Sequence, residues 1–268
     1  MILFVFEGEK REKVIFNTIK QIFFKKTQTF VYCYCSNIYS LYQEMKTLDV
    51  FGDAADIFTL LKKRNNSLLQ NYNSADFSEI YLFFDYDAIE SNLADCNTEV
   101  KELLEYFCNE TDKGKLYINY PMVESIRYYK KQLPDPDYYK YTVCVTVGKD
   151  FKYLADQDSI YKNLDFLCSK IKKHADLNQN NYEKIGRELT EEEFNKFKQN
   201  WMHIIKLNVC KANYICNNLN AIPSSKEDIS QSEIFGSQLL KYIEPSGEIA
   251  ILNSFPLFIY EDLKEISS

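Results

Sequence analysis

Ile2-Leu-Phe-Val-Phe-Glu7-Gly8 opens the chain, and a second apolar run, Ile80-Tyr-Leu-Phe-Phe-Asp85-Tyr-Asp87, also ends in carboxylates. Each run is typical of a strand buried on both faces, and in each the first polar residue is an acid. In an open parallel sheet, ligands bind in the crevice outside the carboxyl ends of the strands. We therefore expect Glu7, Asp85 and Asp87 to be neighbours in space, although they are far apart in sequence.

Carboxylates gathered at one edge of a sheet repel one another. Two like charges about 4 Å apart repel by about 4 kcal/mol at an effective dielectric constant of about 20. A hard divalent cation with oxygen ligands offsets this repulsion. Asp85 and Asp87 are two residues apart, so on an extended chain both can face the same ion. The pattern predicts a site for Mg²⁺ or Mn²⁺, although a lone Asp-x-Asp is also common in turns.

Strand and helix patterns alternate through the first half, which predicts an α/β fold with a Toprim-like, mainly parallel sheet flanked by helices. Hydrophobic periodicity and β-branched or aromatic runs assign the elements. The predicted strands cover residues 2–6, 29–35, 79–85 and 115–119. The predicted helices cover residues 9–24, 38–48, 54–64 and 97–108, with one more beginning at Pro121.

Two prolines in Leu133-Pro-Asp-Pro-Asp137 disfavour a continuing helix and mark a boundary. We predict a catalytic domain over residues 1–135 and a mostly helical domain over 136–268 that binds substrate or a partner. Beyond the boundary, residues 141–147 are predicted to form a strand. Long helices are predicted over 158–173, 190–219 and 228–243.

Two further glutamates follow strand ends. In Glu7-Gly-Glu-Lys-Arg-Glu12, Gly8 is expected to let the chain turn sharply, and Glu12 falls in the first helical turn near the crevice. In Asn119-Tyr-Pro-Met-Val-Glu124, Glu124 lies one turn into the next predicted helix. Both are candidates for the site. The alternative, about equally favoured by the pattern, is that they only complement the helix dipole.

Cationic residues flank these acids. Lys10 and Arg11 lie inside the first acidic motif, and one predicted helical face runs from Glu124 through Arg127 to Lys131. A carboxylate beside cationic groups suits a phosphodiester held next to a metal ion. These four cations are therefore the candidate nucleic-acid contacts, with a salt-bridged, solvated surface as the alternative.

Composition limits the function classes. The 268 residues are 46% hydrophobic and 26% charged, as in ordinary globular domains, and the net charge of −7 argues against a general nucleic-acid coat protein. Eight cysteines without a Cys-x-x-Cys motif favour free, buried thiols in a reducing cytoplasm. We expect a cytoplasmic protein without signal peptide or membrane span. Nucleotide-binding glycine loops and a nucleophile elbow are also missing from the sequence.

Taken together, the three motifs resemble the Toprim superfamily, in which a strand-end Glu is followed by Asp-x-Asp at another strand end. The resemblance is strongest to the RloB-like and overcoming-lysogenization-defect-like branches of bacterial phage defence. RloB-like proteins carry Glu-Gly-Glu-Lys-Thr-Glu after a strand, similar to residues 7–12 here with Arg11 in place of Thr. They also carry Asn-Pro-x-x-Glu, similar to residues 119–124 here with Tyr120 inserted. The similarity covers about the first half of the chain.

The resemblance implies Mg²⁺-dependent phosphodiester chemistry, usually nucleolytic, in abortive infection with an ATPase partner. By position, Glu7, Asp85 and Asp87 match the family's core acids, and Glu12 and Glu124 match more weakly. The expectation is a metal-dependent nuclease acting on RNA or DNA in antiviral defence, with Glu7 as a metal ligand or general base.

The competing class is a catalytically silent Toprim-like sensor or subunit of a defence complex that acts by protein–protein binding. A topoisomerase or primase activity is less favoured, because the chain is short and lacks the accompanying catalytic domains. Assembly into a homo-oligomer is left open.

Overall fold

A five-stranded sheet forms the centre of the molecule. The computed structural model describes residues 1–24, 28–52, 55–87, 92–161 and 191–262. The strands are β1 (Ile2–Phe6), β2 (Phe30–Tyr34), β3 (Glu79–Asp85), β4 (Cys108–Asn109) and β5 (Gly114–Asn119). Their order is β2-β1-β3-β5-β4, and only β4, paired with β5, is antiparallel within this sheet. The predicted α/β class with a mainly parallel sheet is confirmed.

Helices connect these strands, as parallel pairing requires. They are α1 (Arg11–Phe23), α2 (Ile38–Thr47), α3 (Ile57–Arg64), α4 (Asn66–Leu69) and α5 (Leu93–Tyr106). The side chain of Asn37 caps α2 by accepting the Ser40 N–H at 2.9 Å. Asp56 caps α3 through the Thr59 N–H at 2.7 Å. Such caps satisfy backbone donors that have no partner within the helix.

The second half is mostly helical but adds two short strands. Its elements are β6 (Thr142–Cys144), α6 (Phe151–Asp158), α7 (Glu191–Asn217), α8 (Gln231–Gln238), α9 (Glu244–Ser246), β7 (Glu248–Ala250) and α10 (Ser254–Asp262). β6 and β7 pair antiparallel, and a π-helical segment, Leu239–Ile243, joins α8 to α9. Within the described ranges, no helix is both long and apolar enough to cross a membrane.

Aromatic side chains cover one face of the sheet. Phe16 of α1 packs on Phe4 of β1, with the ring centroids 4.0 Å apart. Phe255 of α10 stacks on Phe83 of β3 at 4.4 Å and 7°, and Phe258 meets the same ring edge-on at 5.5 Å. The last described helix of the chain therefore completes the core of a sheet built from the first half.

Backbone contacts also connect the two halves. Tyr120 and Leu252 exchange both N–H···O bonds, at 2.8 and 2.9 Å, in an isolated antiparallel bridge. The Gln231 side chain of α8 accepts the Ile118 N–H of β5 at 3.2 Å. The division at residue 135 stays a prediction, and the two parts on either side of it share one hydrophobic core.

Several element predictions are confirmed closely. The predicted strand over 79–85 coincides with β3, and the predicted strand over 2–6 coincides with β1. The helix predicted over 190–219 corresponds to α7. In contrast, α5 begins at Leu93 rather than near residue 97. Asn97 lies inside the helix, where its side chain accepts a hydrogen bond from the Tyr86 hydroxyl instead of capping.

Other element predictions need correction. Pro121 does not start a helix: it follows a cis peptide bond after Tyr120, and a 3-10 helix begins only at Val123 (Val123–Arg127). The strand predicted over 141–147 is cut short at Cys144 by the 3-10 segment Val145–Asp150. The helix predicted over 228–243 is divided between α8 and the π-helical segment. Residues 162–173 of another predicted helix lie outside the described residues.

Cys33 and Cys35 alternate along and just past β2, and both are buried in the core. Burial raises the pKa of the Cys35 thiol to about 11. A thiol with so high a pKa carries little thiolate at neutral pH. These two cysteines therefore behave as core residues, as their spacing predicts.

Candidate acidic site at the sheet edge

The carboxyl ends of three adjacent parallel strands place polar residues side by side. β1 ends before Glu7, β3 ends at Asp85, and β5 ends at Asn119, which pairs with Asp85 in register. The backbone N–H of Glu7 donates to the carbonyl of Phe83 at 3.2 Å. The side chain of Glu7 then accepts the backbone N–H of Asp85 through Oε2 at 3.1 Å. Glu7 and Asp85 are therefore brought together at this edge.

Asp85 is buried and held in position by hydrogen bonds. Its Oδ1 accepts from Nδ2 of Asn119 at 2.9 Å, and the backbone N–H of Val123 also stabilises the carboxylate. Asn119 is itself oriented by Ser254 of α10, whose N–H and Oγ donate to the amide oxygen at 3.1 and 2.8 Å. Burial, followed by the charges of Glu7 and Glu12, raises the pKa of Asp85 well above its ordinary value.

Glu12 reaches the same region from the first turn of α1. Its Oε1 accepts the Gly8 N–H at 3.1 Å, and burial raises the pKa of this carboxyl. A Cβ on residue 8 would lie 3.0 Å from Oε2 of Glu12, closer than ordinary contact. Gly8 has no positive φ. Gly8 therefore leaves room for the Glu12 carboxylate close to the backbone, and the bend of the chain after β1 uses no positive φ at this glycine.

Asp87 is half-buried just beyond β3, on the side of α2. Its charge contributes to raising the pKa of the Tyr39 phenol, after burial and the neighbouring Tyr86 and Cys96. The Asp-x-Asp pair consists of one fully buried carboxylate and one that is partly open to solvent.

Glu124 forms an ion pair with Arg11 beside the acids. Glu124 is 4% exposed, and its Oε2 is buried with no hydrogen-bond partner among the described residues. Burial and the charge of Arg127 lower the pKa of Arg11 to about 10, while Asp156, Glu12 and Asp85 act in the opposite direction. Arg11 is therefore a cation beside the acidic group. Lys10, by contrast, is exposed at the N-terminal end of α1.

The helical face predicted from Glu124 to Lys131 is wrong, because the 3-10 helix ends at Arg127. The backbone N–H groups of Lys130 and Lys131 both donate to the buried carboxylate of Asp135 at 3.0 Å, which holds this stretch outside a helix. Lys131 is exposed and pairs with Asp137.

Arg127, expected on that exposed face, is buried and pairs with Asp156 of α6. Its Nη1 donates to the carbonyls of Ala155 and Tyr161 at 3.2 and 3.3 Å. Arg127 therefore fastens α6 to the segment that follows β5, and is not open to a nucleic acid.

Three residues at the site gave no separate signal in the sequence. Asn119 was recognised only as part of a motif, although its position opposite Asp85 follows from pairing two strand ends. Ser254 and Asp156 come from the second half and have no motif of their own. Only the three-dimensional packing brings them to the sheet edge.

Across the described ranges, no set of three or more His, Cys, Asp or Glu side chains is arranged as a metal site. Glu124 is paired with Arg11, and Asp87 is half-buried just beyond the end of β3. What the structure does bring together is Glu7, Glu12 and Asp85. Searches of protein-family models, of curated proteins and of solved structures find no match to this chain.

Proposed function

We propose that this chain is a Toprim-like, Mg²⁺- or Mn²⁺-dependent nuclease of the RloB-like branch that hydrolyses phosphodiester bonds of RNA or DNA in antiviral defence. One observation carries the proposal: Glu7 and Asp85 meet through a 3.1 Å hydrogen bond at the carboxyl edge of a parallel sheet. This edge is where ligands bind in open α/β sheets. The resemblance adds an ATPase partner to the proposal, and the cysteine usage of the sequence adds a cytoplasmic location.

The chemistry of the donors, rather than the present arrangement of their side chains, fits a hard divalent cation. Glu7, Glu12, Asp85 and Asp87 offer carboxylate oxygens, which Mg²⁺ and Mn²⁺ prefer. Burial raises the pKa of Glu12, and burial together with the charges of Glu7 and Glu12 raises the pKa of Asp85; a nearby cation would offset that cost. The buried Oε2 of Glu124 also lacks a partner among the described residues. When bound, the metal would supply Lewis-acid stabilisation and lower the pKa of a bound water.

The protein's own groups would orient the acids for this chemistry. In the hydrolysis, a water oxygen bonds to phosphorus, the bond to one ester oxygen breaks, and that oxygen receives a proton. Asn119 and the Val123 N–H hold the Asp85 carboxylate, and the Asp85 N–H holds Glu7. In this proposal, Glu7 would either bind the metal or take the proton of the water.

A second candidate function is a catalytically silent Toprim-like module that acts by protein–protein binding. It is favoured by the Arg11–Glu124 ion pair, in which an internal cation already neutralises one of the five acids. The two candidates differ in whether the protein responds to a divalent metal.

A thermal-shift measurement separates them. A metal at about 100 times its Kd stabilises a protein by about 2.7 kcal/mol, which corresponds to roughly 5 °C in a chain of this size. We expect Mg²⁺ or Mn²⁺ to raise the melting temperature by that amount. Glu7→Gln should lose the shift, because it removes one charge at the edge. Glu9→Gln, an exposed change two residues away, should keep it.

Cleavage itself is tested by incubating the protein with tRNA, single-stranded RNA and plasmid DNA in Mg²⁺ or in EDTA. The nuclease proposal expects cleavage of at least one substrate that EDTA abolishes. A wild-type protein that shows neither a metal-dependent shift nor metal-dependent cleavage would favour the silent module.

A further inference from the structure

A cavity of about 310 Å³ lies in the second half of the chain, between α7 and a 3-10 helix, Tyr138–Lys140. Buried hydrogen bonds hold these two elements together. The Tyr138 hydroxyl donates to the side chain of Asn208 at 2.8 Å, and the ammonium of Lys211 donates to the Tyr138 carbonyl at 2.9 Å. The walls of the cavity are therefore fixed by groups that lie behind them.

Helix α7 supplies a polar wall. His203, Lys206 and Leu207 all line the cavity, and residues three and four apart lie on one face of a helix. The imidazole of His203 is half-buried, whereas the ammonium of Lys206 is exposed. Asn220, just beyond the end of α7, adds an amide to the lining. An ammonium, an imidazole and an amide are thus available to a ligand in the cavity.

The other wall presents rings. Pro134, Pro136 and Tyr139 line it. Tyr139 is half-buried, and Tyr214 of α7 meets its ring edge-on with the centroids 4.9 Å apart, which orients it. Aromatic rings stack with an offset on other planar rings and gain more than the buried area alone provides. This wall therefore suits a flat, ring-shaped ligand.

The charge around the cavity is positive. Residues 130–141 and the facing stretch of α7, residues 203–217, contain five lysines and two aspartates. Lys130 pairs with Asp158, and Lys211 is buried, yet a positive excess remains when both are left out of the count. Lys206 has no ion-pair partner in the parts of the chain that the structure describes. It is therefore available to an anionic group.

Asp135 also lines the cavity, but its charge is already satisfied. This carboxylate is fully buried. Its oxygens accept the backbone N–H groups of Lys130, Lys131 and Asp137 and the hydroxyl of Tyr141, at 3.0 to 3.2 Å. A carboxylate with this many donors does not need a cation from a ligand.

We propose that this cavity binds a small planar ring compound with one anionic group, in which Tyr139 contacts the ring and Lys206 contacts the anion. Ligand pockets have volumes of about 300 to 1,000 Å³, so a cavity of this size suits a ligand with a single ring system. A nucleoside monophosphate and an aromatic carboxylate share this chemistry. The inference does not rest on the proposed nuclease function, because no residue of the acidic site lines the cavity.

Binding is measured in EDTA by ligand-observed saturation-transfer NMR. The probes are uridine monophosphate and benzoate, with uridine and benzamide as their neutral counterparts and inorganic phosphate as an anion without a ring. We expect at least one of the two ring anions to bind with a Kd of about 1 mM or below. Its neutral counterpart and phosphate should each bind at least about fivefold more weakly. The tighter of the two anions identifies the class of ligand.

Lys206→Gln should weaken binding of that anion about five- to tenfold and leave the affinity for its neutral counterpart unchanged. Lys198→Gln is the matched control, because Lys198 is also an exposed lysine of α7 but does not line the cavity. This variant should bind as the wild type does. Tyr139→Ala should weaken binding of the anion and of its neutral counterpart alike. Melting temperatures verify that the variants are folded.

The inference is wrong if Lys206→Gln and Lys198→Gln bind the anion equally. It is also wrong if the wild type binds neither ring anion more tightly than its neutral counterpart. Glu7→Gln is measured in parallel, and a loss of affinity in Glu7→Gln with full affinity in Lys206→Gln would place the ligand at the acidic site instead. Because EDTA prevents metal-dependent cleavage, these results are independent of whether the protein is a nuclease.

Discussion

Replacing Asp85 by Asn should reduce Mg²⁺-dependent cleavage by about 10²–10³-fold, the order found when one preorganised electrostatic group is removed from a site. Asp85 is buried, and its carboxylate is fixed by Asn119 and Val123. Asn keeps the shape but removes the negative charge that would hold a cation. The measurement is the initial rate of cleavage of whichever substrate the wild type cuts.

The same substitution should leave the protein folded. Removing the charge relieves the repulsion with Glu7 and Glu12 that raises the pKa of Asp85. The pKa of Asp85 is higher in the folded state than in the unfolded state, so the ionised Asp85 lowers the stability of the protein at pH values above the unfolded-state pKa. Asn carries no charge and therefore has no such effect. Against this, the amide accepts fewer hydrogen bonds, a loss of about 1–3 kcal/mol. We expect a melting temperature in EDTA within about 5 °C of the wild type.

Asp112→Asn serves as the control for this experiment. Asp112 is exposed in the turn before β5, at the opposite edge of the sheet. It should cleave at the wild-type rate. Cleavage by Asp85→Asn within a few-fold of the wild type would show that another site, or a contaminating nuclease, is responsible.

The part of the site that could be predicted lies at strand ends. Glu7 and Asp85 each follow an uninterrupted apolar run, and parallel pairing of those runs requires the ends to meet. The position of Arg127 could not be predicted, because the sequence pattern indicated a regular helix after Pro121. The chain instead forms a short 3-10 helix that ends at Arg127. Asp135, which holds the next residues outside a helix, acts through its buried side chain, and nothing in the local sequence indicates that burial.

The buried strands of the fold could also be predicted from their local sequence, whereas helix α10 could not. Runs such as residues 79–85 are long, apolar and rich in aromatic residues, so they are typical of buried strands. Helix α10 has no polar face to give it a helical period: residues 254–260 are all buried, and Pro256 interrupts the pattern. Whether this segment forms a helix depends on the sheet that it covers, about 170 residues earlier in the chain. A local sequence pattern does not contain that contact.

The contact between α10 and the sheet gives the largest expected change in stability. Phe258 is 1% exposed and meets the rings of Phe83 and Tyr81 edge-on at 5.5 and 4.9 Å. Truncating such a residue leaves a cavity, so Phe258→Ala should lower the free energy of unfolding by about 3–5 kcal/mol. Leu240→Ala removes a side chain that is 72% exposed and should change it by less than about 0.5 kcal/mol.

Urea titrations of these two variants also test the division at residue 135. Trp201 is the only tryptophan, lies in α7, and packs edge-on against Phe23 of α1 at 6.3 Å, so its fluorescence reports the second half. Far-UV circular dichroism reports the whole chain. Because α10 and α7 both pack against first-half elements, we expect the two signals to change together and to shift equally in Phe258→Ala. Fluorescence and circular dichroism transitions with different midpoints, in the wild type or in either variant, would mean that residues 136–268 unfold independently.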